Sequence, residues 1–153
     1  MPIKEYPFLA IHSDGRVEVQ SQSSRPILWV RVTNPHAQVA IIIAAIVDTG
    51  ADECTMPAGL AGALKHNLKS VASKSIHTAG GTTEVYPHTV RIEILDVLPN
   101  GKPNKSKVLY IINEGLFDFA KGLPVPLLGR KTFLDNFNLY IKYPARKFSI
   151  RKP

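Results

Sequence analysis

Residues 41–57 read IIIAAIVDTGADECTMP. Seven apolar residues, Ile41 to Val47, end on a carboxylate, Asp48, and Thr49, Gly50 and Ala51 follow. Such an apolar run bounded by turn residues has the pattern of a strand driven through a core. An acid at the end of a buried strand is unfavourable unless it is hydrogen-bonded, paired or used. The residues after it suit use. Glycine lets the backbone turn tightly beside the carboxylate, and a threonine hydroxyl can lock that turn by hydrogen bonding. The product is a rigid, open-topped acid suited to activating a water. One carboxylate is a poor catalyst of amide hydrolysis. Two can share a proton, one acting as base toward water and the other as acid toward the carbonyl oxygen.

The rest of the chain reads as β structure. The segment PFLAIHSDGRVEVQ has the form of a hairpin around Ser13-Asp14-Gly15, and residues 21–26 form a polar connection. ILWVRV (27–32) and AIIIAAIV (40–47) are strands separated by the turn TNPHAQ. Leu60, Ala61, Leu64 and Leu68 have helical spacing, with Pro57 near the first turn. Residues 71–95 read as two strands around TAGGTT, with Val90, Ile92 and Ile94 alternating against polar neighbours. Residues 96–107 read as a loop, VLYII (108–112) as a buried strand and residues 114–126 as irregular chain. LLGRKTFLDNF opens apolar, passes a glycine and becomes a short helix; LYIKYPARKFSI is a hairpin.

Composition bounds the class. The chain has 153 residues, 44% of them hydrophobic, enough for one domain with a real core. The net charge is +7, but the Lys and Arg residues are scattered. Their densest groups are Lys102, Lys105 and Lys107, then Lys142, Arg146, Lys147, Arg151 and Lys152. That pattern is a solvated basic face and argues against nucleic acid as a partner. Cys54 is the single cysteine, which excludes an internal disulfide and reads as a small core residue. The five histidines lack metal-ligand spacing, so no metal or other cofactor is expected. No apolar run is long enough for a bilayer. The expectation is a soluble, cytoplasmic protein without membrane contact.

IVDTGADECTMP resembles the active-site signature of the retropepsin-like aspartic proteases. VPLLGRKTFL resembles that family's second signature, two apolar residues and a glycine followed by a short helix. HTAGGTTEVYP lies between them, where the family has its flap hairpin. The resemblance covers Val30 to Ile150 and extends through LLGRKTFLDNFNLYIKYPARKFSI, which is similar to retrotransposon-type and bacterial members. It implies an all-β protein with one or two short helices, closed into the barrel-like retropepsin fold. Residues 1–153 would form one domain, with 1–25 an N-terminal extension or extra hairpin.

The resemblance also implies roles. Asp48 would be the catalytic acid, Thr49 would hydrogen-bond across a dimer, and Gly50 would contact the substrate backbone. Ala51 and Asp52 would bind substrate, and Asp52 would pair with Arg130. Leu127, Leu128 and Gly129 would support the loop. Gly80 and Gly81 would sit near a flap tip that opens and closes over substrate. The chain departs from compact viral members at its N-terminus and at its basic tail, FSIRKP, where viral enzymes interleave terminal strands.

The chain has only one Asp-Thr-Gly. The chemistry would then need a two-fold homodimer that brings Asp48 against its copy. The function expected is hydrolysis of peptide bonds in extended polypeptide, favoured at acidic to near-neutral pH. The alternative is a dimerisation or peptide-binding module that keeps the fold and cleaves little.

Overall fold

A computed structural model describes residues 4–153. In chain order the strands are β1 (Tyr6–Pro7), β2 (Leu9–Ile11), β3 (Val17–Val19), β4 (Ile27–Asn34), β5 (Val39–Val47), β6 (Thr55–Pro57), β7 (Lys74–Thr78), β8 (Gly81–Val97), β9 (Pro103–Ala120), β10 (Leu127–Leu128), β11 (Asn138–Lys142) and β12 (Lys147–Arg151). One short helix, α1 (Leu60–Ala63), follows β6, and 3-10 turns cover Leu68–Ser70 and Leu134–Asn136.

The main sheet has the order β4-β5-β10-β6-β9-β8-β7. A second ladder joins β4 to β8 from Val30↔Ile94 to Thr33↔Arg91. The hydrogen-bonded order therefore returns to its own start, and the sheet closes on itself. Closure removes the edges of β4 and β8 along that ladder. β-Branched residues on the inner face fill the enclosure: Val30, Val32, Val90, Ile92 and Ile94 are fully buried, with Phe117, Phe119 and Phe133. The closed, barrel-like β architecture expected from the sequence is present.

β4 and β5 meet in eight consecutive pairs, Ile27↔Ile46 to Asn34↔Val39. Their connection is closed by Gln38, whose N–H donates to Asn34 O and whose φ is +55°. The Asn34 side chain is buried. Its Oδ1 accepts the His36 N–H at 2.9 Å and its Nδ2 donates to Leu64 O at 2.8 Å, tying this turn to α1.

Several expected elements differ in extent. The helix after Pro57 is a single turn. Pro57 ends β6, Gly59 and Gly62 weaken helix propensity, and Lys65 at φ +57° turns the chain out, leaving Leu68 in a separate turn. The expected loop 96–107 is mostly strand, because only residues 98–102 connect β8 to β9. Residues 114–120 are not irregular: β9 runs on to Ala120, held by β8 through register shifts around Val90 and Ile94. The expected helix after Gly129 is a three-residue 3-10 turn, following Thr132 at φ +75°.

The N-terminal segment is built into the fold. β1 pairs with β12 at Tyr6↔Phe148, and the Tyr6 and Phe148 rings stack at 5.3 Å. β2 and β3 form the expected hairpin, fastened to Arg25 by two backbone bonds from Leu9. β12 lies between β1 and β11, bonded on both sides within its own chain. The first three residues of the expected 1–25 extension lie outside the described residues.

Candidate active site

The Asp48 loop is fixed by where β5 ends. At its C-terminus β5 is flanked by β4 and, in parallel, by β10, with Leu127↔Ile46 and Leu128↔Val47. The ladder runs one step past the strand, since the Asp48 N–H donates to Leu128 O at 3.0 Å. The chain then turns back on itself. Ala51 N–H donates to Asp48 O at 3.2 Å, and Gly50 N–H donates to Asp48 Oδ1 at 2.9 Å. The carboxylate is half-buried, while Thr49 and Gly50 are exposed beside it. Among the described residues the Thr49 hydroxyl has no hydrogen-bond partner in its own chain.

Gly129 explains why the second apolar segment must end in glycine. An ideal Cβ there would lie 2.7 Å from Ala51 O and closer still to Glu53 O, both backbone atoms. Only a residue without a side chain lets residues 129–131 lie against the Asp48 loop. The approach is stitched by Arg130 N–H to Ala51 O at 2.9 Å and Lys131 N–H to Asp52 O at 3.0 Å. Cys54 completes the seam: its Sγ accepts the Gly129 N–H at 3.3 Å and donates to Lys131 O at 3.3 Å. Burial pushes the Cys54 thiol up to about 12. The thiol is a packing and hydrogen-bonding group of the seam.

Above the loop β7 and β8 form a hairpin whose tip is Thr78 to Gly81. Gly81 has φ +116°, a conformation open to glycine, and Thr78 Oγ1 donates to Gly81 O at 2.8 Å. Between hairpin and loop lies a cleft of about 910 Å³. Asp48, Gly50, Ala51 and Asp52 line its floor, Leu127 one wall, and Ile76, Thr78 and Ala79 its roof. That volume suits a bound peptide segment. Among the described residues no group of three or more His, Cys, Asp or Glu is placed to hold a metal ion.

A loop with an acid at the end of a barrel strand, crossed by a glycine turn and roofed by a hairpin, is the arrangement the two signatures implied. Residues 22–142, which contain all three features, match the retroviral aspartyl protease family. The chain belongs to that family. Membership supports aspartic protease function in general terms.

Two solved protease structures align with this chain. A retropepsin-like aspartic protease from Rickettsia conorii aligns with a TM-score of 0.58 at 18% identity, covering 97% of this chain and 91% of that one. EIAV protease complexed with the inhibitor HBY-793 aligns with a TM-score of 0.45 at 21% identity, covering 72% of this chain and 86% of that one. Among curated proteins none matches.

In this retropepsin-like chain Asp48, Thr49, Gly50, Ala51 and Asp52 come together with Leu127, Leu128 and Gly129. Gly80 and Gly81 lie at the hairpin tip, but the roof facing the cleft is made by Ala79 and its neighbours. The expected Asp52–Arg130 ion pair is not formed among the described residues. Backbone bonds hold those two segments together, and the charged pair across the seam is Lys131 Nζ to Glu53 Oε1 at 3.1 Å. Glu53, Thr55, Ile76, His77, Lys121, Leu123 and Lys131 also line the cleft and were not singled out from the sequence. Alternation in the two strands next to the signatures, 53–57 and 74–78, was the available signal. Among the described residues no helix is long and apolar enough to cross a membrane.

Proposed function

We propose that this protein is an aspartic endopeptidase that cleaves extended polypeptide as a homodimer. The observation that carries the reading is Asp48, held in a backbone-fixed loop on the floor of a roofed cleft, once per chain. A second Asp48 across a two-fold axis would supply the partner carboxylate. One carboxylate, ionised, takes a proton from water as the water attacks the scissile carbonyl. The other, protonated, donates to the carbonyl oxygen. Collapse of the tetrahedral intermediate returns a proton to the leaving nitrogen, and the pair is reset. Thr49, exposed and without a hydrogen-bond partner among the described residues, is suited to bond across the axis and hold the two loops in register. The substrate would lie extended, its main chain bonded to Gly50, Asp52 and the hairpin, its side chains in apolar pockets built from Ile76, Leu123 and Leu127.

The terminal strands favour a second reading. β12 is paired on both sides within its own chain at Lys147 and Phe148, which leaves less of it free to interleave with a partner as viral terminal strands do. A dimer resting on the Thr49 loops and hairpin tips alone would be weaker, and the protein would then be a dimerisation or peptide-binding module that cleaves little.

Incubation with unstructured polypeptide across about pH 3 to 8, with and without pepstatin, separates the readings, given the pH range over which a shared-proton pair works. Wild-type cleavage that pepstatin blocks and Asp48→Asn abolishes supports the enzyme. Cleavage persisting in Asp48→Asn removes the assigned chemistry. Sedimentation across concentration reports the dimer independently.

A further inference from the structure

The outer strand of the roof hairpin makes ion-pair contact through one residue with the chain beneath it. β7 is its outer strand, and β8 is its only hydrogen-bonded neighbour in the sheet. From the start of β7, Lys74 Nζ reaches Asp118 Oδ2 at 3.3 Å and Glu53 Oε1 at 3.7 Å. Asp118 belongs to β9, opposite Thr55 of β6, and its side chain is only 2% exposed. Its Oδ2 has no hydrogen-bond partner among the described residues, and Lys74 is the one cation within ion-pair distance of it. Lys131, the other cation nearby, is drawn to Glu53.

A buried carboxylate with a single cation is a strong constraint on whatever carries that cation. Here the carrier is the terminal strand of the sheet, in a two-stranded hairpin over the cleft. We propose that Lys74 is a positioning residue: its ammonium fastens the outer strand of the hairpin to the buried Asp118, and proton uptake by Asp118 releases that strand. The kinetic part of this proposal rests on the protease reading; the fastening itself does not.

The groups facing Asp118 set the direction of the pH response. Lys74 comes from β7, Glu53 and Cys54 from the segment entering β6, and Lys131 from the turn after β10, while β8 presents Pro87 as the cross-strand partner. Burial raises Asp118 above its ordinary value; the Lys74 ammonium in ion-pair contact with it pulls it back, and Glu53 adds to the rise. As pH falls through this raised value the carboxylate becomes neutral and Lys74 keeps only the half-exposed Glu53. As pH rises the fastening closes.

The test is amide hydrogen exchange of residues 74–83 in the full chain without substrate, corrected for intrinsic rates, between about pH 4 and 7 where a raised carboxylate titrates. In wild type, protection of this segment should rise about two- to fivefold toward neutral pH, as for an ion pair whose lysine is partly exposed. Lys74→Met and Asp118→Asn should flatten that rise, and Lys74→Arg should restore it. Exchange in β4 and β5 serves as the folding control. If Asp118→Asn does not fold, the exposed Lys74→Met carries the test alone. Equal protection in wild type and Lys74→Met at every pH would overturn the proposal. With a cleavable peptide, Lys74→Met should raise KM more than it lowers kcat; a loss in kcat alone would overturn the positioning role. The exchange arm needs no catalysis, so failure of the protease reading leaves it standing.

Discussion

Replacing Gly129 by alanine tests whether the seam between the two signatures is as tight as its geometry states. The added methyl would meet Ala51 O and the Glu53 carbonyl carbon, both at 2.7 Å, with Glu53 O nearer still. All three are backbone atoms that no rotamer change can clear. Residues 129–131 and 51–53 must move apart, which stretches Arg130 N–H to Ala51 O, Lys131 N–H to Asp52 O and Gly129 N–H to Cys54 Sγ. Overpacking of this kind costs about 1–3 kcal/mol, and a weakened hydrogen bond about 0.5–1.5 kcal/mol. We expect a total loss of about 2–4 kcal/mol, equivalent to a fall in Tm of about 4–16 °C for a chain of this size. Gly62→Ala is the matched control. Gly62 lies in α1 with nothing within 4 Å of its Cβ position, so alanine should stabilise by up to about 1 kcal/mol. Urea and thermal unfolding by circular dichroism, at one protein concentration, measure both. A Gly129→Ala protein within about 0.5 kcal/mol of wild type, the scatter of ordinary surface changes, would refute the reasoning.

Other consequences are equally direct. Cys54 in the folded protein should resist thiol reagents at pH 8 and react at the rate of unfolding, because burial holds its thiol up at about 12; fast labelling of native protein would contradict this. Asn34→Ala should destabilise by about 1–3 kcal/mol in denaturant titration, because it leaves the His36 N–H and Leu64 O without their buried partner. His66 is held below its usual value, chiefly by burial and then by His88, whose ring centroid is 4.6 Å away. The unfolded chain therefore takes up this proton first as pH falls. Stability from His66 is intact above about pH 6.5 and is lost as pH drops from there through the folded value. His66→Gln should show a shallower fall of stability between neutral and mildly acidic pH, and an unchanged slope would exclude this origin.

The parts legible in the sequence were those whose cause is local. A β-branched run ending in Asp-Thr-Gly specifies strand and tight loop within ten residues, and two-residue alternation marks β8. Glycine at 129 was readable as part of a signature, although the reason, a backbone crossing at van der Waals contact, joins segments far apart in the chain. What escaped depended on such distant partners. Residues 114–126 read as irregular chain, yet β8 carries β9 on to Ala120. Asp118 looked like an acid in irregular chain, and only the pairing of β9 with β6 buries it beneath Lys74. The short α1 shows the opposite error: leucine spacing suggested a longer helix, and two glycines with a left-handed Lys65 stopped it.

The sheet formed by β1, β12 and β11 sets how the molecule responds to pulling. β1 and β12 are antiparallel, so residue 4 and residue 153 leave the fold side by side from one pole. Tension applied between these ends loads the β1–β12 ladder as a zipper, opening one rung at a time, rather than in shear across all rungs together. β1 has only two rungs, Tyr6↔Phe148 and Pro7↔Lys147, so it peels first, and its departure uncovers the far side of β12. A tethered chain would thus expose a fresh pairing edge under small forces, well before the closed barrel yields.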